Sequence, residues 1–355
     1  MPVFASLFCK VWFLSYLVSE VVFRLQEIEG EKMRKFVRLM LVVGLISNVQ
    51  AGQNFNGSRS IATASAIAQI KAPVETLSEN AVPGFVTTAW LAENLDRNDV
   101  KIIDLRKTPK YNNGHIPGSI SFSIGALCGP VKGVPATLLP PAILGYHWSL
   151  MGIKNDDTVV IVAPGKFQGA TLLAVALKTT GHSKATVLQG GIEKWKGEKH
   201  LVSTELPKIM PSRYSVSKGH RSFIIGKDIV AQAVRTGSHT LIDARSEAYF
   251  TGAKSDEARS GRIPGALSHH CKKNFVKDSK YKELATKEAL SKMFAKLVPD
   301  KNQPVILYCR TCMSATLNYM IMKCVLGYED VSIYDGSWSE WSTITELPAV
   351  KGATD

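Results

Sequence analysis

Two cysteines three positions apart, Cys309 and Cys312, carry the clearest chemical potential in the chain, within the run VILYCRTCMSATL (305–317). The run starts as a short apolar segment typical of a buried strand, and a helical pattern begins near Ser314. A cysteine between a strand end and a helix start faces backbone N–H groups and the positive end of the helix dipole. We therefore expect Cys309 to have a lowered pKa and to act as a thiolate nucleophile, its cradle stabilising a persulfide or an oxyanion.

The C-x-x-C spacing of Cys309 and Cys312 leaves two interpretations open. The pair could close to a disulfide that switches activity or releases sulfur held on Cys309, or Cys312 could be a tolerated loop residue. Cysteine phosphatases also place a cysteine between a strand and a helix, but they need an arginine at the sixth position after it. Ala315 stands at that position, which argues against a phosphatase.

The elements that must position this loop occur twice along the chain. The first copy contains KIIDLR (101–106), GHIPGSISF (114–122) and ATVLQGGIEKW (185–195), and the second contains TLIDAR (240–245), GRIPGALSH (261–269) and VSIYDGSWSEW (331–341). Asp104 and Asp243 are 139 residues apart, and Trp195 and Trp341 are 146 apart. Such a long repeat indicates two copies of one domain. Alternating strand-like and helical runs predict an α/β fold with parallel sheets and helices on both faces.

These motifs resemble those of tandem-domain rhodaneses, which are sulfurtransferases. The D-x-R strand end, the IPG turn, the strand–Cys–loop–helix segment and the DGSWSEW close occur in the family order, and the resemblance covers about residues 84–348. It implies a rhodanese-like domain without activity at 84–200 and a catalytic rhodanese-like domain at 214–348. At the position of Cys309 the first copy has Pro164, which offers neither a thiol nor a backbone N–H.

The resemblance also implies a reaction and a set of site residues. Cys309, as the nucleophile, would take the outer sulfur of thiosulfate as a persulfide, release sulfite and pass the sulfur to cyanide or a thiol. A basic residue after the nucleophile, as in Arg310, is similar to family members that use thiosulfate. The expected substrate-binding residues are Arg310, Thr311, Arg245, Arg262 and Arg259, the expected active-loop residues are Cys312, Met313 and Ser314, and Asp243 is expected to brace the loop. The alternatives are a 3-mercaptopyruvate sulfurtransferase and a non-enzymatic persulfide-binding or sulfur-binding module.

Three positions depart from the family pattern. Cys312 stands where the family usually has glycine, Arg262 replaces the histidine of the GHIPG turn, and Tyr249 occupies a place that is arginine in some relatives. If the loop needs a positive φ at position 312, a cysteine there is penalised, and we expect the cradle geometry to differ from that of the family. These departures bear on the identity of the sulfur donor more than on the reaction class.

The composition fits an ordinary globular protein of two domains. The chain has 355 residues, is 45% apolar, carries a formal charge of +13 and contains six cysteines. These values exclude a wholly disordered chain, a polytopic membrane protein and a disulfide scaffold. We expect small sulfur anions as ligands, no nucleic acid, no cofactor, no metal and a monomer. The tract His269-His270-Cys271 lacks a fourth ligand at a sensible spacing, so it is interpreted as a polar loop.

The N-terminal residues 1–51 are expected to form a leader that is removed. Residues 33–51 combine a basic start, a short apolar run and the small-x-small end Val49-Gln50-Ala51, which is typical of a signal peptide. We hypothesise that translation begins at Met33. Residues 52–83 have the composition of a flexible tether. The expected localisation is therefore exported and periplasmic, with no stable membrane span in the mature chain.

Overall fold

The computed structural model describes residues 84–353 except residues 132, 164, 166 and 218. The leader (1–51), its signal segment (33–51), the tether (52–83) and Pro164 all lie outside the described residues. Within the described part, no helix has both the length and the apolar character needed to cross a membrane.

The first domain is a five-stranded parallel sheet with a two-stranded hairpin beside it. Its strands are β1 (Phe85–Val86), β2 (Val100–Asp104), β3 (Ile120–Ser121), β4 (Cys128–Val131), β5 (Val134–Leu138), β6 (Thr158–Val162) and β7 (Ala185–Leu188). Its helices are α1 (Thr88–Glu93), α2 (Thr108–Asn112), α3 (Pro141–Leu150), α4 (Phe167–Thr179) and α5 (Gly191–Gly197), with a 3-10 turn at Ile124–Leu127. The sheet order is β1-β7-β6-β2-β3, and the antiparallel pair β4-β5 forms the hairpin.

The second domain repeats this topology. Its strands are β8 (Ile224–Ile225), β9 (Thr240–Asp243), β10 (Leu267–Ser268), β11 (Val305–Tyr308) and β12 (Val331–Tyr334). Its helices are α6 (Lys227–Thr236), α7 (Glu247–Phe250), α8 (Lys287–Ala295), α9 (Met313–Met320) and α10 (Ser337–Trp341). A 3-10 turn covers Cys271–Asn274, and a π-helical segment, Ile321–Leu326, continues α9. The sheet order β8-β12-β11-β9-β10 matches that of the first domain strand for strand.

The predicted α/β duplication is therefore confirmed. Neighbouring strands within each five-stranded sheet run parallel, with registers such as Ile103↔Ile161 in the first sheet and Ile242↔Leu307 in the second. The central strands β6 and β11 are apolar and buried along their whole length, as expected for strands covered on both faces. Trp338 and Trp341 are also fully buried.

The two domains pack through α4 and α9, the helices that follow the central strands. Both helices are buried on nearly all sides, because each lies between its own sheet and the other domain. The hydroxyls of Thr171 and Thr316, which occupy matching positions in the two copies, are hydrogen-bonded at 2.8 Å across this interface. This packing places the start of α9, and with it the loop after β11, against the first domain.

Candidate active site

Cys309 lies where the sequence places it, directly after the central strand β11 and before α9. All four residues of β11 are buried, and only 2% of Cys309 is exposed. The carboxyl end of a central parallel strand, facing a helix N-terminus, is the usual position of a binding site in such sheets. The fold thus places Cys309 at the end of the sheet where an anion is best stabilised.

The backbone of the loop forms a cradle around the Cys309 sulfur. The N–H groups of Ala315, Thr311 and Ser314 hydrogen-bond to the thiol, whereas burial from water raises its pKa above the ordinary value for cysteine. The effect of burial is the larger one, and the carboxylate of Asp243 adds to it. The expected lowered pKa is therefore wrong for the resting site, because the effect of burial outweighs that of the N–H hydrogen bonds. The N–H groups stay aimed at any negative charge that forms there.

Ser337, at the start of α10, fastens the loop from the other side. Its hydroxyl accepts hydrogen bonds from the N–H groups of Cys309 and Cys312, each at 3.2 Å, and donates one to the carbonyl of Tyr334 at 2.8 Å. The N–H of Trp338 donates to the Cys309 carbonyl at 3.0 Å. The loop backbone is therefore held at both ends by one short helix.

Cys312 adopts the left-handed backbone conformation, with φ at +68°. This is the strain anticipated for a cysteine at a position that favours glycine. Its side chain is buried and its thiol hydrogen-bonds to Asp335, and burial followed by the charge of Asp335 raises the pKa of Cys312 far above its usual range. Cys128 of the hairpin lies close enough to interact electrostatically with Asp335 and with Cys312. In this conformation Cys309 and Cys312 are both thiols, and closure of the pair stays a prediction.

Arg310 is half-exposed at the mouth of the loop and is paired with acids. Its Nε contacts the Glu257 carboxylate at 2.5 Å, and its Nη1 lies 3.9 Å from Asp256. The hydrogen bond that Arg310 donates to Glu257, with the charges of both acids, raises the pKa of Arg310. Of the four predicted substrate-binding arginines, Arg310 is the one that is exposed, and it directly follows Cys309 in the chain.

The role of Asp243 and Arg245 follows from a comparison with the first domain. The loop of that domain lacks a cysteine at the matching position. Arg245 forms a buried ion pair with Asp243 at 2.6 Å and donates to the Gly261 carbonyl at 2.7 Å. Arg106 makes the same pair with Asp104 and the same bond to the Gly114 carbonyl.

Since the arrangement also occurs in the copy without the nucleophile, it is part of the domain scaffold. The Arg245 guanidinium also stacks 4.8 Å from the ring of Trp338, next to the residue that holds the loop. This geometry agrees with a bracing role for Asp243 and adds the same role for Arg245, whose charge also interacts with Cys309. The contact of Arg245 with substrate stays a prediction.

Arg259 and Arg262 likewise serve the scaffold in this conformation. Arg259 donates to the carbonyls of Trp341, Ser342, Ile344 and Leu347. Arg262 is buried and donates to the Gly352 carbonyl, and its backbone pairs with Val350 just as His115 pairs with Ser203 in the first copy. The structure directs both guanidiniums at the C-terminal segment, so the anion contacts predicted for them find no support in its geometry.

The remaining loop residues shape the backbone of the cradle. The N–H of Met313 donates to the Thr311 carbonyl at 2.9 Å, and the N–H groups of Ala315 and Thr316 donate to the Cys312 carbonyl. These bonds form the tight turn that brings the N–H groups of Thr311 and Ser314 onto one point. Thr311 and Ser314 therefore act at the sulfur through their main chain.

Four residues around the loop were not predicted from the sequence: Ser337, Asp335, Asp256 and Glu257. A signal for Ser337 was present in the repeat, because the matching residue of the first copy is Gly191. Both residues have positive φ, +52° for Ser337 and +60° for Gly191. A serine at a position that favours glycine indicates that its hydroxyl is needed.

The tract at 269–271 is built into the core. His269 hydrogen-bonds Asn274 at 2.8 Å, and Cys271 accepts a bond from Gln168 of the first domain at 3.3 Å. Across the described residues, no group of histidine, cysteine, aspartate and glutamate side chains is arranged to hold a metal ion.

Comparisons with known proteins identify the family of the two domains. The family model described as a rhodanese-like domain matches residues 87–198 and 227–344. A putative thiosulfate sulfurtransferase of Synechococcus elongatus is 32% identical over 288 residues, covering 78% of this chain and 88% of the relative. The 3-mercaptopyruvate sulfurtransferase of Escherichia coli is 28% identical, covering 74% of this chain and 96% of that protein.

The solved structures are similar as well. The Escherichia coli 3-mercaptopyruvate sulfurtransferase crystal structure superposes with a TM-score of 0.62 and 28% identity, covering 73% of this chain and all of that one. Two matched domains, two matching sheets and a cysteine in the cradle of the second domain lead to one conclusion. The chain belongs to the rhodanese family of sulfurtransferases, with two rhodanese-like domains in tandem.

Proposed function

We propose that this sulfurtransferase takes its sulfur from thiosulfate, carries it as a persulfide on Cys309 and delivers it to a thiophilic acceptor such as cyanide or a thiol. The observation that carries the proposal is the convergence of three backbone N–H groups on the Cys309 sulfur. A cradle of this kind stabilises the negative charge of the attacking thiolate and that of the persulfide it becomes.

The proposed reaction has two steps that balance. The Cys309 thiol first loses its proton to solvent, and the thiolate attacks the outer sulfur of thiosulfate. The sulfur–sulfur bond of the donor breaks, and sulfite leaves with the bonding electron pair. The acceptor then attacks the outer sulfur of the persulfide, and Cys309 leaves as a thiolate. Because burial raises the pKa of Cys309, deprotonation is the step that the approach of substrate must make easier.

A 3-mercaptopyruvate donor is the second candidate, and one observation favours it. Two carboxylates, Glu257 and Asp256, lie against the single guanidinium of Arg310. They reduce the attraction for a dianion such as thiosulfate more than for a monoanion such as 3-mercaptopyruvate. We expect kcat/KM to be higher for thiosulfate, and a clear preference for 3-mercaptopyruvate would replace our choice of donor.

Replacement of the nucleophile tests the site. We expect Cys309→Ser to lose sulfur transfer from both donors, because a serine hydroxyl neither ionises readily nor forms a persulfide. Cys324→Ser, at an exposed position outside the loop, is the control and should retain turnover. Undiminished turnover of Cys309→Ser would reject this site. A wild-type protein that takes up sulfur but never turns over would instead favour a non-enzymatic sulfur-binding module.

We also propose that the protein is exported to the periplasm through residues 33–51. The basic start, the short apolar run and the small-x-small end support this placement. N-terminal sequencing of the protein recovered from a periplasmic extract should begin after Ala51. A mature chain that retains residues before Met33 would contradict both cleavage and the proposed start at Met33.

A further inference from the structure

A segment inserted only in the catalytic copy brings acidic residues onto Arg310. In the first domain eight positions separate Arg106 from Gly114, whose carbonyl it binds, whereas sixteen separate Arg245 from Gly261. The additional residues lie in the turn segment 251–260 and include Asp256 and Glu257. The position that matches Arg310 in the first copy is Gly165, so the inserted acids and their arginine partner occur together in one copy.

The inserted acids are held in place by further bonds. Glu257 accepts a hydrogen bond from Ser339 Oγ at 3.0 Å, and the Ser339 N–H donates to the Arg310 carbonyl at 3.0 Å. Tyr249 Oη donates to Asp256 at 2.6 Å. The Glu257 side chain is only 18% exposed, compared with 53% for that of Arg310. Glu257 is therefore the fixed partner, and the arginine head is the group that can move.

This geometry has a direct consequence for an incoming anion. A donor that binds Arg310 must compete with a carboxylate that already occupies the guanidinium Nε at 2.5 Å. A guanidinium binds carboxylates and oxyanions through the same planar set of donors, so the two ligands exclude each other in part. The more negative charge the donor carries, the more the two acids oppose its approach.

We propose that Glu257 is a specificity-determining residue that withholds Arg310 from anionic sulfur donors and so sets their apparent affinity. Asp256 assists it by its charge. The inference rests on the proposed function only in taking Arg310 as the donor's anion contact. It goes beyond that function because the inserted segment, rather than the loop, then controls how strongly anions bind.

The first test compares Glu257→Gln with wild type in thiosulfate turnover. We expect the KM for thiosulfate to fall by about two- to fivefold with little change in kcat, the range that corresponds to one partly exposed ion pair. The matched control Asp96→Asn removes the same charge from an exposed position of the first domain and should leave the KM unchanged. In an Arg310→Gln background, Glu257→Gln should lower the KM less than it does in wild type, because only the direct repulsion between Glu257 and the donor is then removed.

A second readout does not depend on sulfur transfer. We would measure alkylation of Cys309 by the anion iodoacetate and by neutral iodoacetamide, locating the label by peptide mass spectrometry. Glu257→Gln should raise the iodoacetate to iodoacetamide rate ratio by a similar factor, whereas Asp96→Asn should not. Added salt should shrink the difference.

The outcomes distinguish the proposed sulfur transfer from the proposed role of Glu257. If wild type turns over neither donor but the alkylation ratio rises in Glu257→Gln, the proposed function fails and the role of Glu257 stands. If the ratio and the KM are unchanged in Glu257→Gln, or the KM rises, the proposal is overturned, since Glu257 then only supports the loop. A fall of equal size in Asp96→Asn would also overturn it, because net charge alone would then explain the effect.

Discussion

At the scale of single residues, the state of Cys309 is decided by a competition between burial and backbone hydrogen bonds. Burial raises the pKa of the thiol, and the N–H groups of Ala315, Thr311 and Ser314 oppose that rise without cancelling it. The resting residue is therefore a protected thiol, with its stabilising donors already in position. Such preorganised donors act on charge as it develops, which is when the reaction needs them.

This competition predicts the pH dependence of Cys309 reactivity. Because the pKa is raised, the thiolate fraction at neutral pH is small and grows as the pH rises. We expect the alkylation rate by iodoacetamide, followed at the Cys309 peptide, to increase with pH and to have a midpoint above that of an unperturbed cysteine, about 8.5. A midpoint below that value would show that the N–H groups, and not burial, dominate.

The sequence was sufficient to place Cys309 between a strand and a helix, but not to show which groups the arginines contact. A cysteine between a strand and a helix is a local pattern, so it can be predicted from neighbouring residues. Arg259 and Arg262 bind carbonyls of a segment about 80 to 90 residues further along the chain, such as those of Ser342 and Gly352. Partners of that kind are set by tertiary packing, which motif spacing does not show.

At the scale of elements, the short helix α10 acts as a clamp on the loop between β11 and α9. The single hydroxyl of Ser337 accepts two N–H bonds from the loop, and the N–H groups of Trp338 and Ser339 bind the carbonyls of Cys309 and Arg310. Without the hydroxyl, two buried N–H groups lose their acceptor, at a cost of about 1–3 kcal/mol each. The loop would then relax, and the N–H groups that face the sulfur would lose their aim.

Removal of the Ser337 hydroxyl should therefore reduce catalysis. We expect Ser337→Ala to lower kcat for sulfur transfer by about ten- to a hundredfold, a loss that corresponds to one or two of these bonds. Ser337→Gly should lose activity as well, although glycine suits the φ of +52° better than serine does.

The exposed variant Ser238→Ala is the control, and circular dichroism should show that all three variants are folded. Full activity in Ser337→Gly would contradict the clamp, because the backbone conformation alone would then suffice.

At the scale of the whole molecule, duplication provides two copies of one scaffold that differ in the loop after the central strand. The buried Asp–Arg pair and the bond from the last tryptophan indole to a following carbonyl recur in both domains. The first domain also completes the second, because its Leu138 N–H donates to Asp335 at 3.1 Å, and Asp335 binds Cys312. A domain without its own nucleophile thus still supports the loop of the other.

The first domain also contributes a buried histidine that links stability to pH. Burial lowers the pKa of His182 to about 4 from the ordinary value of 6.5. The unfolded chain therefore binds a proton that the folded chain refuses between these values. The resulting contribution of neutral His182 to the free energy of unfolding is present above about pH 6.5 and is lost as the pH falls towards about 4.

We expect the free energy of unfolding to fall by about 3 kcal/mol over that range from His182 alone. Urea unfolding of wild type and His182→Asn, each measured at several pH values, isolates this effect. The quantity to compare is the slope of the free energy of unfolding against pH in each protein, since other titrating groups act in both. Parallel curves for the two proteins would show that His182 is not the group responsible.

The repeat and the alternation of apolar runs were enough to predict the two parallel sheets, because each depends on local periodicity. The hairpin of β4 and β5 was not predictable in this way. Its segments CGPV and VPATL are short, contain proline and show no clear alternation. The contact between Leu138 and Asp335 joins residues 197 positions apart and arises only when the two domains pack.

The central claim is that Cys309 carries the sulfur. The most direct measurement is the mass of the protein after incubation with thiosulfate and no acceptor, followed by peptide mapping without reduction. We expect a gain of one sulfur atom on the peptide that contains Cys309, and its loss when cyanide is added. Sulfur located on Cys312 or Cys128 instead, or no gain of mass with either thiosulfate or 3-mercaptopyruvate, would contradict it.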